Sequence, residues 1–140
     1  MFDITAQAVA DTASIHLKAA DGTHLYDAKQ QPVRIVVYGP GSAAFASVEA
    51  RQTQRALRRM QDNDGKVTIA SPDERRRETA EDLAAVTVRF ENFDYPPAKG
   101  KEGAELFQAL YEDRALGFIV EQVSKFVGNW SAFKPSSATG

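Results

Sequence analysis

Val33-Arg34-Ile35-Val36-Val37-Tyr38-Gly39-Pro40-Gly41-Ser42 decides how this chain folds. Its first six residues are rich in β-branched side chains, which favour the pleated backbone, so they read as the strongest strand of the sequence. Gly39-Pro40-Gly41 stops the strand at once. Ser42 then stands where a helix N-cap belongs, with a hydroxyl able to accept from the first free backbone N–H groups. A strand that turns directly into a capped helix divides the chain into a β half and a helical half.

Upstream, Ser14-Ile15-His16-Leu17-Lys18 alternates polar and apolar residues, as a half-buried strand does. Asp21-Gly22 is a turn signal, and Leu25-Tyr26 can extend a second short strand before Gln31-Pro32 interrupts it. Downstream, residues 42 to about 61 are mostly Ala, Arg, Gln, Leu and Met, all good helix formers. Phe45, Val48, Ala56, Leu57 and Met60 are expected to form one apolar stripe on this helix, with Arg51, Arg55, Arg58 and Arg59 mostly off it. Asn63-Asp64-Gly65 ends it. Lys66 to Ala70 reads as extended.

Ser71-Pro72-Asp73-Glu74 opens a second helix, with serine at the cap, proline at the first helical position and glutamate three residues on from the serine. That helix runs to about Val86, and Val86-Thr87-Val88-Arg89-Phe90 is either its end or a short strand. A short helix follows from Gly103 to Glu112. Asp113 caps a final one that reaches about Val127, with Gly128 at its C-terminal cap. The expected fold is α+β, an N-terminal antiparallel β-hairpin or meander followed by about four helices. Residues 1–133 form one domain and 134–140 a small polar tail.

The 140 residues include 43% hydrophobic and 26% charged side chains, an ordinary globular composition. With a formal net charge of -2, no global field favours nucleic acid or an anionic membrane. The absence of cysteine removes disulfides, thiolate nucleophiles and the usual structural zinc sites. The N-terminus shows no signal-peptide pattern, and Phe118-Ile119-Val120 is too short an apolar run to cross a bilayer.

Chemistry-bearing residues are sparse. His16 and His24 approach each other if the first hairpin forms, but a metal site needs more ligands, and only Asp21 and Asp27 lie near. Ser42 and Ser47 have no nucleophile elbow around them. Gly39-Pro40-Gly41-Ser42 lacks the lysine of a phosphate cradle. Glu74, Glu78, Glu81 and Asp82 are spaced to share a helix face, where neighbouring arginines are more plausible partners than a cation. No catalytic residue, cofactor site or metal site is expected, so the chain is read as a binder.

Two surfaces are candidates for binding. Between Glu49 and Arg77 the cations Arg51, Arg55, Arg58, Arg59, Lys66, Arg75, Arg76 and Arg77 outnumber the anions. They suit an acidic protein surface and, less well, nucleic acid, because stacking aromatics are missing from the stretch. Trp130 and Phe133, after the last helix, either fold back onto the core or form an exposed apolar patch.

The order of segments then resembles a family. It comprises Asp21-Gly22-Thr23-His24-Leu25-Tyr26-Asp27, the Val33–Ser42 strand and turn, an Arg/Gln-rich helix, an acidic helix and Val86–Phe93. Leu110–Ile119, Glu121-Gln122-Val123 and Asn129-Trp130-Ser131-Ala132-Phe133 close the pattern. Together these resemble tail assembly chaperones of long-tailed bacteriophages and prophages, over about residues 14 to 133. The resemblance implies a non-enzymatic factor of the host bacterial cytoplasm, left out of the mature virion. It would bind the tape measure protein, keep it soluble and recruit the major tail protein around it. Self-association through an open strand edge is compatible with that role. A structural virion component, such as a head–tail connector or minor tail protein, is the alternative.

Overall fold

The computed structural model describes residues 1–65 and 70–135. Three strands, β1 (Thr12–His16), β2 (Arg34–Tyr38) and β3 (Thr87–Glu91), form a sheet with β2 in the centre, antiparallel to both neighbours. Four α-helices accompany it: α1 (Ala43–Asp62), α2 (Pro72–Ala85), α3 (Ala104–Glu112) and α4 (Gly117–Val127). The architecture is the expected α+β mixture.

The central position of β2 follows from its sequence. Ile35, Val36 and Val37 are all buried, so neither face of this strand is left to water. Ile15 faces Ile35 in the β1 register, and Ile35 faces Phe90 in the β3 register. A register shift between Val36 and Val37 interrupts the β2–β3 ladder. The third strand comes from the ambiguous Val86–Phe90 segment and not from Leu25-Tyr26. Between β1 and β2 the chain makes only isolated bridges, Lys18 to His24 and Tyr26 to Pro32. That excursion is tied to α4 by a reciprocal pair. The Lys18 N–H donates to Gln122 Oε1, and Gln122 Nε2 donates to the Lys18 carbonyl, each at 2.8 Å.

The expected helix starts are present as hydrogen bonds. Ser42 Oγ accepts from the Phe45 N–H and Ser71 Oγ from the Glu74 N–H, both at 3.2 Å. Asp113 accepts from the Ala115 N–H at 3.0 Å, opening a short 3-10 turn that leads into α4. At the end of α1, Gly65 takes a φ of +79° and its N–H reaches the Met60 carbonyl at 2.7 Å. The expected extended segment from Lys66 falls almost wholly outside the described residues, as does most of the expected tail.

Ile15, Leu17, Val33, Ile35 and Val37 from the β half meet Leu83, Phe107, Leu110, Tyr111, Ile119, Val123 and Val127 from α2, α3 and α4 in one core. A buried polar chain threads it. Thr87 Oγ1 lies 2.7 Å from both the Leu83 carbonyl and Tyr111 Oη. The carbonyl can only accept, so Thr87 donates to it and Tyr111 donates to Thr87. Burial of Tyr111 pushes its phenol well above the ordinary tyrosine range, so it stays neutral.

Candidate protein-binding face

α1 is twenty residues long, yet Val48 is its one buried residue. Its inward side carries Ala44, Phe45 and Val48 near the sheet and then becomes a row of arginines. Arg51, Arg55 and Arg59, spaced i, i+4, i+8, meet Asp82, Glu81 and Glu78 on α2. The numbering falls on one helix as it rises on the other, so the two run antiparallel. Arg55 is the centre of this clasp, with Nη1 3.0 Å from Asp82 Oδ2 and Nη2 2.9 Å from Glu81 Oε2. Gln52 adds a bond from Nε2 to Asp82 Oδ2 at 3.0 Å, and Arg51 Nη2 lies 3.6 Å from Asp82 Oδ1. The hydrogen bond to Asp82 raises the Arg55 pKa further, against the opposing effect of burial.

The arginines singled out as a binding surface therefore have different surroundings. Arg51, Arg55 and Arg59 are half-buried and engaged with carboxylates of the same chain, while Arg58 is exposed. The acidic residues Glu78, Glu81 and Asp82 serve as their partners, the role expected over cation binding.

The expected single apolar stripe divides in two. Phe45 and Val48 point toward the core, but Ala56, Leu57 and Met60 are exposed, Leu57 by 55% and Met60 by 39%. Val48 and Leu57 are nine residues apart, which at about 100° per residue places them on opposite sides of a helix. Four residues that sequence reasoning missed, Ala43, Ala46, Ala50 and Thr53, lie on that outer side with Leu57 and Met60. Ala43, Ala46, Ala50, Thr53, Leu57 and Met60 recur at alternating intervals of three and four, and every one is exposed. This is the spacing of a coiled-coil seam, and it was available from the sequence alone. Its flanks bear one charge, Glu49, beside Ser47, Gln54, Ala56 and Gln61.

The two terminal aromatics part company. Phe133 is fully buried, edge-on to Phe126 at 5.3 Å between ring centres. It also fills the space over Gly39, where a Cβ would lie 2.5 Å from its ring. Trp130 is 57% exposed and lies beside Gly41 at the foot of α1, where a Cβ would meet its ring at 3.4 Å. Phe133 is thus a core residue, and Trp130 is an exposed aromatic near the start of α1.

His16 and His24 do meet, stacked with ring centres 4.2 Å apart, and Tyr26 packs edge-on to His16 at 4.9 Å. His16 Nε2 sits 2.9 Å from the Leu25 carbonyl and must donate to it. Asp21 and Asp27 are occupied in their own turns, accepting from Thr23 and from the Lys29 and Gln31 N–H groups. Among the described residues no group of three or more metal-ligating side chains exists. Loss of hydration, with positive charge from His16 and Lys18 nearby, lowers the His24 pKa. A proton-NMR titration of His24 is expected to give a midpoint below the ordinary 6.5. The unfolded chain then binds more protons as pH falls, so the His24 contribution to stability is complete above the ordinary value and is lost as pH drops through the lowered one. A midpoint at or above the ordinary value contradicts the stacked arrangement.

An open groove of about 470 Å³ lies between the start of α2 and the α3–α4 junction. Arg75, Arg76 and Arg114 line it together with Asp113 and Glu121, so its charges largely offset one another. No helix among the described residues is long and apolar enough to cross a membrane. Comparison with known proteins finds no matching family model, no matching curated protein and no matching solved structure.

Proposed function

We propose that the chain is a non-enzymatic assembly factor that docks an amphipathic helix of another protein on the outer face of α1. The exposed seam from Ala43 to Met60 carries this reading. A twenty-residue helix gains most of its stability from packing its apolar face, and α1 leaves the more regular of its two apolar stripes in water. A partner helix laid along it would bury Leu57 and Met60, and the small residues Ala43, Ala46 and Ala50 allow close approach of the two backbones. Trp130 offers an aromatic anchor at one end, and aromatic anchors contribute strongly at interfaces.

The order of segments supplies the partner class. The reading is that of a phage tail assembly chaperone, acting in the host cytoplasm on the tape measure protein and recruiting the major tail protein. Tape measure proteins are long and helical, which suits a seam of this geometry. The internal use of Arg51, Arg55 and Arg59 weighs against a nucleic-acid role, since it leaves Arg58 as the exposed member of that set. Co-expression tests the proposal: a tape measure protein from the same gene cluster should stay soluble and co-purify with this chain. Equal solubility of the tape measure protein alone, with no complex, overturns it. So does a stoichiometric band of this chain in purified virions, which belongs to a structural component.

A further inference from the structure

We infer that the outer face of α1 is self-complementary, and that the free chain pairs with a second copy through an antiparallel α1–α1 contact. The proposal uses the same seam as the helix-docking reading but does not depend on what the other client is.

The size pattern along the seam selects the partner. Its first half is small (Ala43, Ala46, Ala50) and its second half bulkier (Thr53, Leu57, Met60). Set two copies antiparallel about an axis between Arg51 and Gln52, and each small residue is level with a larger one. Ala43 lies level with Met60 of the second copy, Ala46 with Leu57 and Ala50 with Thr53. Every layer then combines an alanine with a larger side chain, and the seam has nearly constant width along about 26 Å of helix. A parallel pair would instead stack alanine on alanine at one end and Leu57 and Met60 on themselves at the other, leaving a taper. Such a taper forfeits contact where the gap opens.

Charge places no obstacle. Glu49 is the one charged residue flanking the seam, while Arg51, Arg55 and Arg59 are turned away toward α2. The clasp with α2 covers the opposite side of α1, so the two bodies of a dimer would lie on opposite sides of the paired helices. A symmetric contact of this kind is isologous and closes at two copies. A client helix would compete for the same surface, so pairing would keep the seam covered until the client arrives.

The lack of cysteine gives a clean test. In the antiparallel pair the two Leu57 residues are separated by roughly 16 Å along the axis, too far for a disulfide, whereas Ala46 faces Leu57. An equimolar mixture of purified Ala46→Cys and Leu57→Cys chains should give the mixed disulfide dimer under mild oxidation. Leu57→Cys alone should give none. In parallel, sedimentation of the unmodified chain at about 100 µM should report a dimer. Leu57→Glu should sediment as a monomer with an unchanged circular dichroism spectrum, since its side chain is exposed in the single chain. A monomer at that concentration, a Leu57→Cys homodimer in place of the mixed one, or a Leu57→Glu chain that still dimerises would each overturn the proposal. Because purified chain alone is used, failure here leaves the client-binding reading to its own test.

Discussion

Phe133→Ala is expected to lower the unfolding free energy by about 3–5 kcal/mol, the usual cost of removing a buried aromatic ring. Phe133 has no exposed surface and closes the core where β2 turns into α1. The void cannot be filled locally, because the neighbouring atom on one side is the backbone of Gly39, with no side chain to move in. Urea denaturation measures the loss. Trp130→Ala, three residues earlier, is the control: that ring is mostly exposed, and its removal should cost less than about 1 kcal/mol. Equal losses at the two positions would contradict the division between core and surface drawn at the C-terminal end.

The second large effect is expected at Asp82. Its side chain is 12% exposed and its carboxylate accepts from Arg55 and Gln52, with Arg51 nearby. Asp82→Ala leaves Arg55, itself 17% exposed, with Glu81 as its remaining acceptor. Removing one partner of a largely buried ion pair strands the other charge, and a loss of about 2–3 kcal/mol is expected. The loss should be local. The outer half of α1 is joined to α2 chiefly through this clasp, so amide exchange should accelerate from Gln52 to Asp62 while β2 stays protected. Uniform acceleration through the sheet, or a loss below about 0.5 kcal/mol, would show that the clasp does not hold α1.

Local chemistry made much of the fold legible. The β-branched run at Val33–Tyr38 forms the central strand, and Ser42 and Ser71-Pro72 start the helices they were expected to start, because caps and breakers act within a few residues of backbone; Asp113 caps a 3-10 turn, and α4 itself begins only at Gly117. The third strand was harder. Thr87–Glu91 is short and follows a helix without punctuation, and its pairing with β2 is a contact across about fifty residues that no local pattern encodes. The orientation of α1 was misread for a different reason. Apolar side chains usually turn inward, yet on α1 the outer half of the inward side is made of arginines. What stabilises them is a row of carboxylates on another helix, so the inward face is decided by α2. Angular bookkeeping still held the clue, since Val48 and Leu57 cannot share a side. Trp130 and Phe133 look equivalent in sequence and differ completely in burial, because Phe133 leaves the 3-10 turn and packs over Gly39.

The central claim is that the outer face of α1 receives a helical partner, and the most direct measurement is co-purification of co-expressed tape measure protein with single variants of this face. The account predicts that Leu57→Glu abolishes recovery of the tape measure protein while the chain itself stays folded. Arg58→Glu, an exposed change outside the seam and its flanks, should leave recovery within about twofold. Undiminished recovery with Leu57→Glu, or loss confined to Arg58→Glu, would contradict it and move the binding site to the charged surface.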